Sequence, residues 1–142
     1  MIVVDTNVLI ALLITKGVTE RIISAHPDVF VTPEHCYAEA WEHRDVWNRR
    51  KLDEGALVEI IEDVERLFVN SIPEGIYEDY QEEASMLTPD PDDAPVVVLA
   101  LAIRNDGIWT YDKKHFSSNA LMERVRVLAT ADVAKLYPVD SI

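Results

Sequence analysis

The chain has 142 residues, 49% of them hydrophobic, so we expect one domain over residues 1–142 whose core needs no disulfide or structural metal. Its 26 acidic residues against 13 Lys and Arg give a net charge of −13, which argues against a broad nonspecific nucleic-acid surface made of basic side chains. The single cysteine, Cys36, excludes an intramolecular disulfide and fits a reducing cytoplasm, and no apolar run reaches the roughly 18 residues of a membrane span.

The first half of the chain alternates short apolar runs with helical patterning. Ile2–Val4 is β-branched and apolar, which predicts a buried strand, and because Asp5 interrupts the apolar stretch we expect no signal peptide. Thr32 before Pro33 is typical of a helix start and predicts a helix to about Arg50. In chain order, the predicted elements are a strand at Ile2–Val4, helices at Asn7–Ile14 and Val18–Ser24, a strand at Val29–Val31 and this long helix, whose inner face carries Cys36, Ala40, Trp41 and Trp47.

The second half of the chain repeats the alternation. Pro73 stops one apolar run, the stretch TPDPDDAP separates two helical segments, and Gly107 ends the second of them. Thr130 is typical of a helix cap. In chain order, the predicted elements are a helix at Asp53–Leu67, a strand at Phe68–Ile72, helices at Ile76–Leu87 and Val96–Arg104, strands at Ile108–Thr110 and Val125–Leu128, and a last helix from Thr130 to Leu136.

Strands that alternate with helices predict a central parallel sheet of four to five strands between two helical layers, a three-layer α/β/α sandwich. Ligands of such sheets bind beyond the carboxyl ends of the strands. Asp5 directly follows the first strand and Asp112 follows Ile108–Thr110, so we expect both carboxylates to face one cleft. Asp5 also has a purely structural interpretation, because Asp, Thr and Asn are the preferred N-caps of helices.

Two further acids are candidates for the same cleft. Glu39 lies in the helix after the second strand, and Asp93 lies at the start of the apolar helix Val96–Arg104. We interpret the neighbouring Asp92 as a cap that opposes the helix dipole. Converging carboxylates repel one another, and Mg²⁺, which prefers oxygen ligands and leaves positions for phosphate and water, is a common reason for gathering them. The four acids therefore predict a metal site.

The pattern resembles the PIN-domain family of metal-dependent nucleases over nearly the whole chain. The segments that carry the resemblance are VVDTNVLI, TPEHCYAEAWEH, DPDDAPVVVLALAIRNDGIWTYDKKHF and VRVLATADVAKL. The third of these segments is the most specific, because it combines an acid, an apolar helix, a short strand and a second acid in order.

The resemblance implies a PIN-like sandwich with a site for Mg²⁺ or Mn²⁺. The acids implied as metal-binding and catalytic are Asp5, Glu39, Asp93 and Asp112. The supporting polar positions implied are Asn7, Thr110 and Thr6. The implied activity is that of an endoribonuclease acting on single-stranded RNA, frequently as a homodimer. Many small members, the VapC-like ribonucleases, are toxins of toxin–antitoxin pairs, which would add an antitoxin protein as a partner.

The acid of the central helix has competitors, since Glu34, Glu39 and Glu42 share that helix. Glu39 is favoured because Glu34 falls in the first turn, too close to the strand. An alternative is a zinc site of His35, Glu39 and His43, which share one helical face. That site would lack the H-E-x-x-H spacing, and a carboxylate cluster suits harder ions.

The basic run after Asp112 has two interpretations. Lys113, Lys114 and His115 either contact RNA phosphates or form a solvated charge cluster. The function also has a rival of another class, a non-catalytic module that binds RNA or protein on the same scaffold, because a fold alone does not establish activity. The strong negative charge slightly favours that rival, since it repels nucleic acid.

The central helical segments carry more apolar side chains than are needed to cover one side of a small sheet. They form either a two-fold dimer contact or part of the core. The residues concerned are Trp41, Trp47, Phe68, Tyr77, Tyr80 and Met86.

Overall fold

The computed structural model describes residues 1–14, 16–76 and 78–139. Within these residues, parallel strands form one sheet in the order 3-2-1-4-5 by strand number. The register pairs Val3 with Val31 on one side and with Ile108 on the other. The strands are β1 (Ile2–Val4), β2 (Phe30–Pro33), β3 (Val69–Ile72), β4 (Ile108–Trp109) and β5 (Val127–Leu128).

Helices connect the strands in the alternation that the sequence predicts. Short 3₁₀ turns lie at Glu74–Ile76, Glu78–Tyr80 and Lys113–Phe116. The helices are α1 (Thr6–Ile14), α2 (Val18–Ala25), α3 (Glu34–Glu42), α4 (Arg44–Trp47), α5 (Glu54–Leu67), α6 (Gln81–Leu87), α7 (Ala94–Ala102), α8 (Asn119–Met122) and α9 (Thr130–Leu136).

The sheet is covered on both faces. Ile2, Val3 and Val4 of β1 are each fully buried, and because successive strand residues point to opposite faces, both faces must be packed. The apolar helix α7 packs against β1, β2 and β4, while α5 packs against β3. The expected α/β/α sandwich with an all-parallel sheet is therefore confirmed, and the fifth strand is present.

The predicted helix start at Thr32 and Pro33 is wrong, because both residues belong to β2. Their register pairs them with β3. The Thr32 hydroxyl donates to the carbonyl oxygen of Val4 at 2.7 Å, so it links β2 to β1 instead of capping a helix. Thr130 likewise is the first residue of α9 and not its cap, and its hydroxyl accepts the indole N–H of Trp109 at 3.1 Å.

The long helix predicted to reach Arg50 is also wrong. It stops at Glu42, and α4 follows as a separate turn. Side-chain donors take carbonyl groups that a continuing helix would use. Nη1 of Arg44 donates to the carbonyl oxygen of Trp41 at 2.9 Å, and Nε1 of Trp47 donates to that of Ala40 at 2.7 Å.

The apolar residues considered for a dimer contact have different environments. Trp47 is 4% exposed and belongs to the interior, whereas Met86 is 81% exposed on α6. Trp41, Phe68 and Tyr80 are partly buried. Tyr77 lies outside the described residues. In the described part of the chain, none of the helices combines the length and apolar character needed to cross a membrane.

Candidate functional site

Asp5 stands where the order of strands reverses. The strand β1 lies between β2 and β4, and such a switch point opens the crevice in which parallel sheets bind ligands. The backbone N–H of Asp5 donates to the carbonyl oxygen of Trp109 at 3.0 Å, which extends the pairing of β1 with β4. Parallel pairing thereby carries Asp5 to the residues that follow β4.

Both oxygens of the Asp5 carboxylate accept hydrogen bonds. Oδ1 accepts from the backbone N–H of Thr6 at 2.8 Å, and Oδ2 accepts from the hydroxyl of Thr110 at 2.8 Å. Burial raises the pKa of Asp5 and outweighs these two bonds, while the negative charge of Glu39 adds to the rise. A capping role does not account for Oδ2, which joins Asp5 to the end of β4.

Thr6 links Glu39 to Asp5 by hydrogen bonds. The Thr6 hydroxyl donates to Oε1 of Glu39 at 2.6 Å while its backbone N–H holds Asp5, so one threonine positions two carboxylates. Glu34 is exposed and accepts a backbone N–H that follows β3, and Glu42 is exposed as well. Of the three glutamates on α3, Glu39 is the one that the structure places beside Asp5.

Asp93 is buried at the start of α7, with 9% of its surface exposed. Burial raises the pKa of its carboxyl to about 6, and the negative charges of Asp90 and Asp5 add to the rise although His115 opposes it. Asp93 occupies the N-cap position, yet its side chain accepts no capping hydrogen bond. The interpretation of Asp92 as the cap is therefore wrong, because the helix begins one residue too late for it.

Asp112 joins the site through Thr110 and His115. The backbone N–H of Asp112 donates to Oγ1 of Thr110 at 3.0 Å, so this threonine contacts both Asp5 and Asp112. His115 lies between two acids, with Nε2 3.1 Å from Oδ2 of Asp112 and Nδ1 3.4 Å from Oδ2 of Asp93. Burial of the ring opposes its protonation, but the two carboxylates outweigh that effect and raise the pKa of His115.

The other basic residues of this run differ from His115. Nζ of Lys113 lies 3.5 Å from Oδ2 of Asp132, at the start of α9. Lys114 uses its backbone N–H to bond Oδ1 of Asp112 at 3.2 Å, and its side chain forms no ion pair within 4 Å among the described residues. Lys114 is therefore the basic side chain of this run that remains available to an anion.

Asn7 and Tyr111 complete the edge of the site. Oδ1 of Asn7 accepts the backbone N–H of Tyr111 at 3.4 Å, a bond that links α1 to the segment after β4. The Tyr111 hydroxyl is hydrogen-bonded to the hydroxyl of Thr19 on α2, and the residue is 48% exposed. The ring is thus anchored at one end and open to solvent beside Asp112.

The four predicted acids form one network of hydrogen bonds and ion pairs, but they are not all within ligand distance of one ion. In the described part of the chain, two groups have ligand atoms within 4.8 Å of one another: His35, Glu39 and Asp92, and Asp90, Asp93 and His115. Glu39 and Asp93 each belong to one group, whereas Asp5 and Asp112 belong to neither. Asp5 interacts electrostatically with both Glu39 and Asp93.

The arrangement fits a divalent cation in charge and in ligand chemistry. Asp5 and Asp93 are carboxyls with pKa values raised by burial, so the surrounding protein does not fully compensate their negative charge. Carboxylate oxygens are hard ligands of the type that Mg²⁺ and Mn²⁺ prefer. A cation here would relieve the repulsion between Asp5 and its acidic neighbours.

The sequence does not predict which residues approach the two histidines of the site. Asp90 and Asp92 both lie in the stretch DPDD, but nothing in the local pattern indicates that Asp90 approaches His115 or that Asp92 approaches His35. The zinc alternative included His43, which is exposed at the end of α3 and belongs to neither group. The approach of Asp92 to α3 depends on contacts between distant segments, which periodicity does not report.

Comparison with families of known proteins agrees with this geometry. No curated protein matches the chain. Residues 3–131 match the family model described as PIN domain, which covers the strand before Asp5, the helix with Glu39, and both later acids. The chain therefore belongs to the PIN-domain family.

Proposed function

We propose that the chain is an endoribonuclease that depends on Mg²⁺ or Mn²⁺ and hydrolyses phosphodiester bonds of single-stranded RNA. The observation that carries the proposal is the pair formed by the half-buried Asp5 and the buried Asp93, which repel one another at the switch point of a PIN-domain sheet. Buried like charges are unfavourable unless a counter-charge joins them. In a metal-dependent nuclease, the divalent cation that the reaction requires also supplies this counter-charge.

Each residue of the network has a role in this proposal. Thr6 orients Asp5 and Glu39, and Thr110 orients Asp5 and the backbone of Asp112. The chemistry that Mg²⁺ or Mn²⁺ supplies in such a site is stabilisation of phosphate charge and a lowered pKa for water. The residues that would hold the ion are Asp5, Glu39, Asp93 and Asp112.

RNA binding to so acidic a chain depends on the few favourable contacts near the site. Lys114 lines a cleft together with Asp90, Asp93 and His115, so its ammonium group would lie near a phosphate bound there. The exposed ring of Tyr111, held through its hydroxyl, offers a fixed surface for base stacking. These contacts favour an unpaired strand, because stacking on a side chain requires an accessible base.

We also propose a toxin role with an antitoxin partner, and a homodimer in the cytoplasm. The support for the toxin role is the match to the PIN-domain family, since many small members of that family are toxins of toxin–antitoxin pairs. The support for the homodimer is the exposure of large apolar side chains, since Ile76 is 67%, Met86 81% and Met122 57% exposed. Light scattering at micromolar concentration tests the dimer, and a monomer would contradict it.

The test of the activity is the chemistry of the product ends. Attack of water on phosphorus with departure of the 3′ oxygen leaves a 5′-phosphate and a 3′-hydroxyl. We expect such ends when purified protein cleaves a labelled single-stranded RNA with Mn²⁺, and much slower cleavage of the matched duplex. Cyclic 2′,3′-phosphate ends, or cleavage in chelator, would contradict the proposal. Binding of RNA without turnover would favour the non-catalytic module.

A further inference from the structure

His35, Glu39 and Asp92 bring a nitrogen ligand together with two carboxylates. One ligand atom of each side chain lies within 4.8 Å of the others. His35 and Glu39 are one turn apart on α3, with Nε2 of His35 4.0 Å from Oε1 of Glu39. Residues at this spacing share one helix face, as paired ligands of zinc-binding helices do. Asp92 adds the third group from the turn before α7.

The ring nitrogen of His35 is a buried atom without a partner. Nε2 is inaccessible to solvent and has no hydrogen-bond partner among the described residues, although the His35 side chain as a whole is 34% exposed. A buried polar atom left unpaired destabilises the folded state, so such an atom in a native protein needs an explanation. This atom faces Glu39 inside a group of potential ligands, and a bound cation would satisfy it.

The distances suit a small cation after a minor adjustment. Bonds of roughly 2.0–2.2 Å from zinc to nitrogen or oxygen place the ligand atoms of a tetrahedral ion about 3.3–3.6 Å apart. Nε2 of His35 and Oε1 of Glu39 are 4.0 Å apart, so these two atoms need to approach each other by about half an ångström. Asp92 is exposed, so its side chain can rotate toward the other two at little cost.

We propose that His35, Glu39 and Asp92 bind a borderline divalent cation, Zn²⁺ in the first place, with Nε2 of His35 as a ligand. An imidazole selects zinc-like ions over Mg²⁺, which prefers oxygen. Three protein ligands leave a fourth position of a tetrahedral ion open. This site is distinct from the carboxylate site centred on Asp5, although Glu39 contributes to both.

The test measures metal binding and not RNA cleavage, so it stands apart from the proposed nuclease activity. Tag-free protein, stripped with chelator, is titrated with Zn²⁺ by calorimetry and with Co²⁺ by visible absorption. The variants are His35→Gln, His43→Gln and Asp5→Asn. His43 is the matched control, because it lies at the end of the same helix and belongs to neither ligand group.

We expect His35→Gln to weaken Zn²⁺ binding at least roughly tenfold, the loss that even an outer partner of a metal ligand commonly causes. It should also remove the Co²⁺ absorption, while His43→Gln leaves both unchanged. Asp5→Asn should retain the Co²⁺ spectrum and weaken Zn²⁺ less than His35→Gln does. An unchanged Zn²⁺ affinity in His35→Gln overturns the site, provided circular dichroism shows the variant folded. Equal losses in His35→Gln and His43→Gln, or a larger loss in Asp5→Asn, overturn it as well.

Discussion

The hydroxyl of Thr110 donates a hydrogen bond of 2.8 Å to Oδ2 of Asp5, although the two residues are 105 positions apart. The same hydroxyl oxygen accepts the backbone N–H of Asp112 at 3.0 Å. Thr110 is 1% exposed, so this bond is shielded from water. Because β1 and β4 both end here, the parallel sheet itself determines how the candidate site is assembled.

Thr110→Val should destabilise the protein by about 1–3 kcal/mol, because valine keeps the shape of the side chain while the half-buried carboxylate of Asp5 loses a hydrogen-bond donor. Loss of that donor should also raise the pKa of Asp5 further and weaken Mn²⁺ binding. Urea unfolding and calorimetry measure the two effects.

The matched control is Thr88→Val. Thr88 is also buried, with 4% exposure, but its Oγ1 has no hydrogen-bond partner among the described residues. Removing an unsatisfied hydroxyl should be neutral or stabilising. Equal losses of unfolding free energy in the two variants would show that the hydrogen bond from Thr110 to Asp5 does not stabilise the protein.

The sequence predicts the sheet and the position of Asp5 because both depend on local signals. A run such as Ile2–Val4 has no polar residue and must be buried, and the next residue then lies at the carboxyl end of its strand. The same reasoning places Thr110 and Asp112 at the end of β4. Because the strands are parallel, their carboxyl ends lie at the same edge of the sheet, which explains why Asp5 lies close to the residues that follow β4.

Side-chain contacts between distant segments are what the sequence does not predict. The break after Glu42 contains neither Gly nor Pro and arises from donors on Arg44 and Trp47 that reach back to α3. The position of His115 between Asp93 and Asp112 likewise depends on how α7 packs beside β4. Such contacts follow from tertiary packing and leave no periodic signal.

Metal binding should weaken as the pH falls through about 6, because Asp93 then takes up a proton that competes with the ion. In the metal-free protein, the contribution of Asp93 to stability should change with pH in the direction opposite to ordinary acid unfolding. The pKa of Asp93 is about 6 in the folded protein and 3.8 in the unfolded chain, so the folded state binds this proton more tightly. Protonation of Asp93 therefore stabilises the fold as the pH falls from about 6. Melting temperatures with chelator and with Mn²⁺ across this range measure both effects. A Mn²⁺-dependent shift that persists well below pH 6 would contradict the role of Asp93.

Asp93→Asn should melt at a higher temperature than wild type in chelator above pH 6, since a buried and repelled charge is removed. A ligand at a hundredfold excess over its dissociation constant stabilises by roughly 2.7 kcal/mol, or about 5–10 °C for a domain of this size. Wild type should gain that much with Mn²⁺, and the variant much less. Differential scanning calorimetry under the four conditions measures this, and an equal gain in both proteins would exclude Asp93 as a ligand.

Tyr111→Ala should raise the KM for single-stranded RNA about fivefold to a hundredfold, the range expected for loss of stacking on one base, with a smaller change in kcat. Tyr111→Phe keeps the ring and loses only the bond to Thr19, so its KM should stay near that of wild type. Steady-state kinetics distinguish the two variants. Equal effects of Phe and Ala would show that the hydroxyl and not the ring matters.

The most direct test of the central claim is the cleavage of single-stranded RNA by wild type and Asp5→Asn, each with Mg²⁺ and with chelator. The amide oxygen of Asn can still accept the backbone N–H of Thr6, and its NH2 group can donate to the hydroxyl oxygen of Thr110 in place of the bond that Asp5 accepts. We therefore expect the variant to fold with an unchanged circular dichroism spectrum. It brings no charge to an ion, and we expect cleavage to fall by at least about a hundredfold, the effect of losing a few kcal/mol of charge stabilisation. Cleavage by wild type that needs Mg²⁺ and is lost in Asp5→Asn is the result that the account predicts. Undiminished cleavage by a folded Asp5→Asn variant would contradict it.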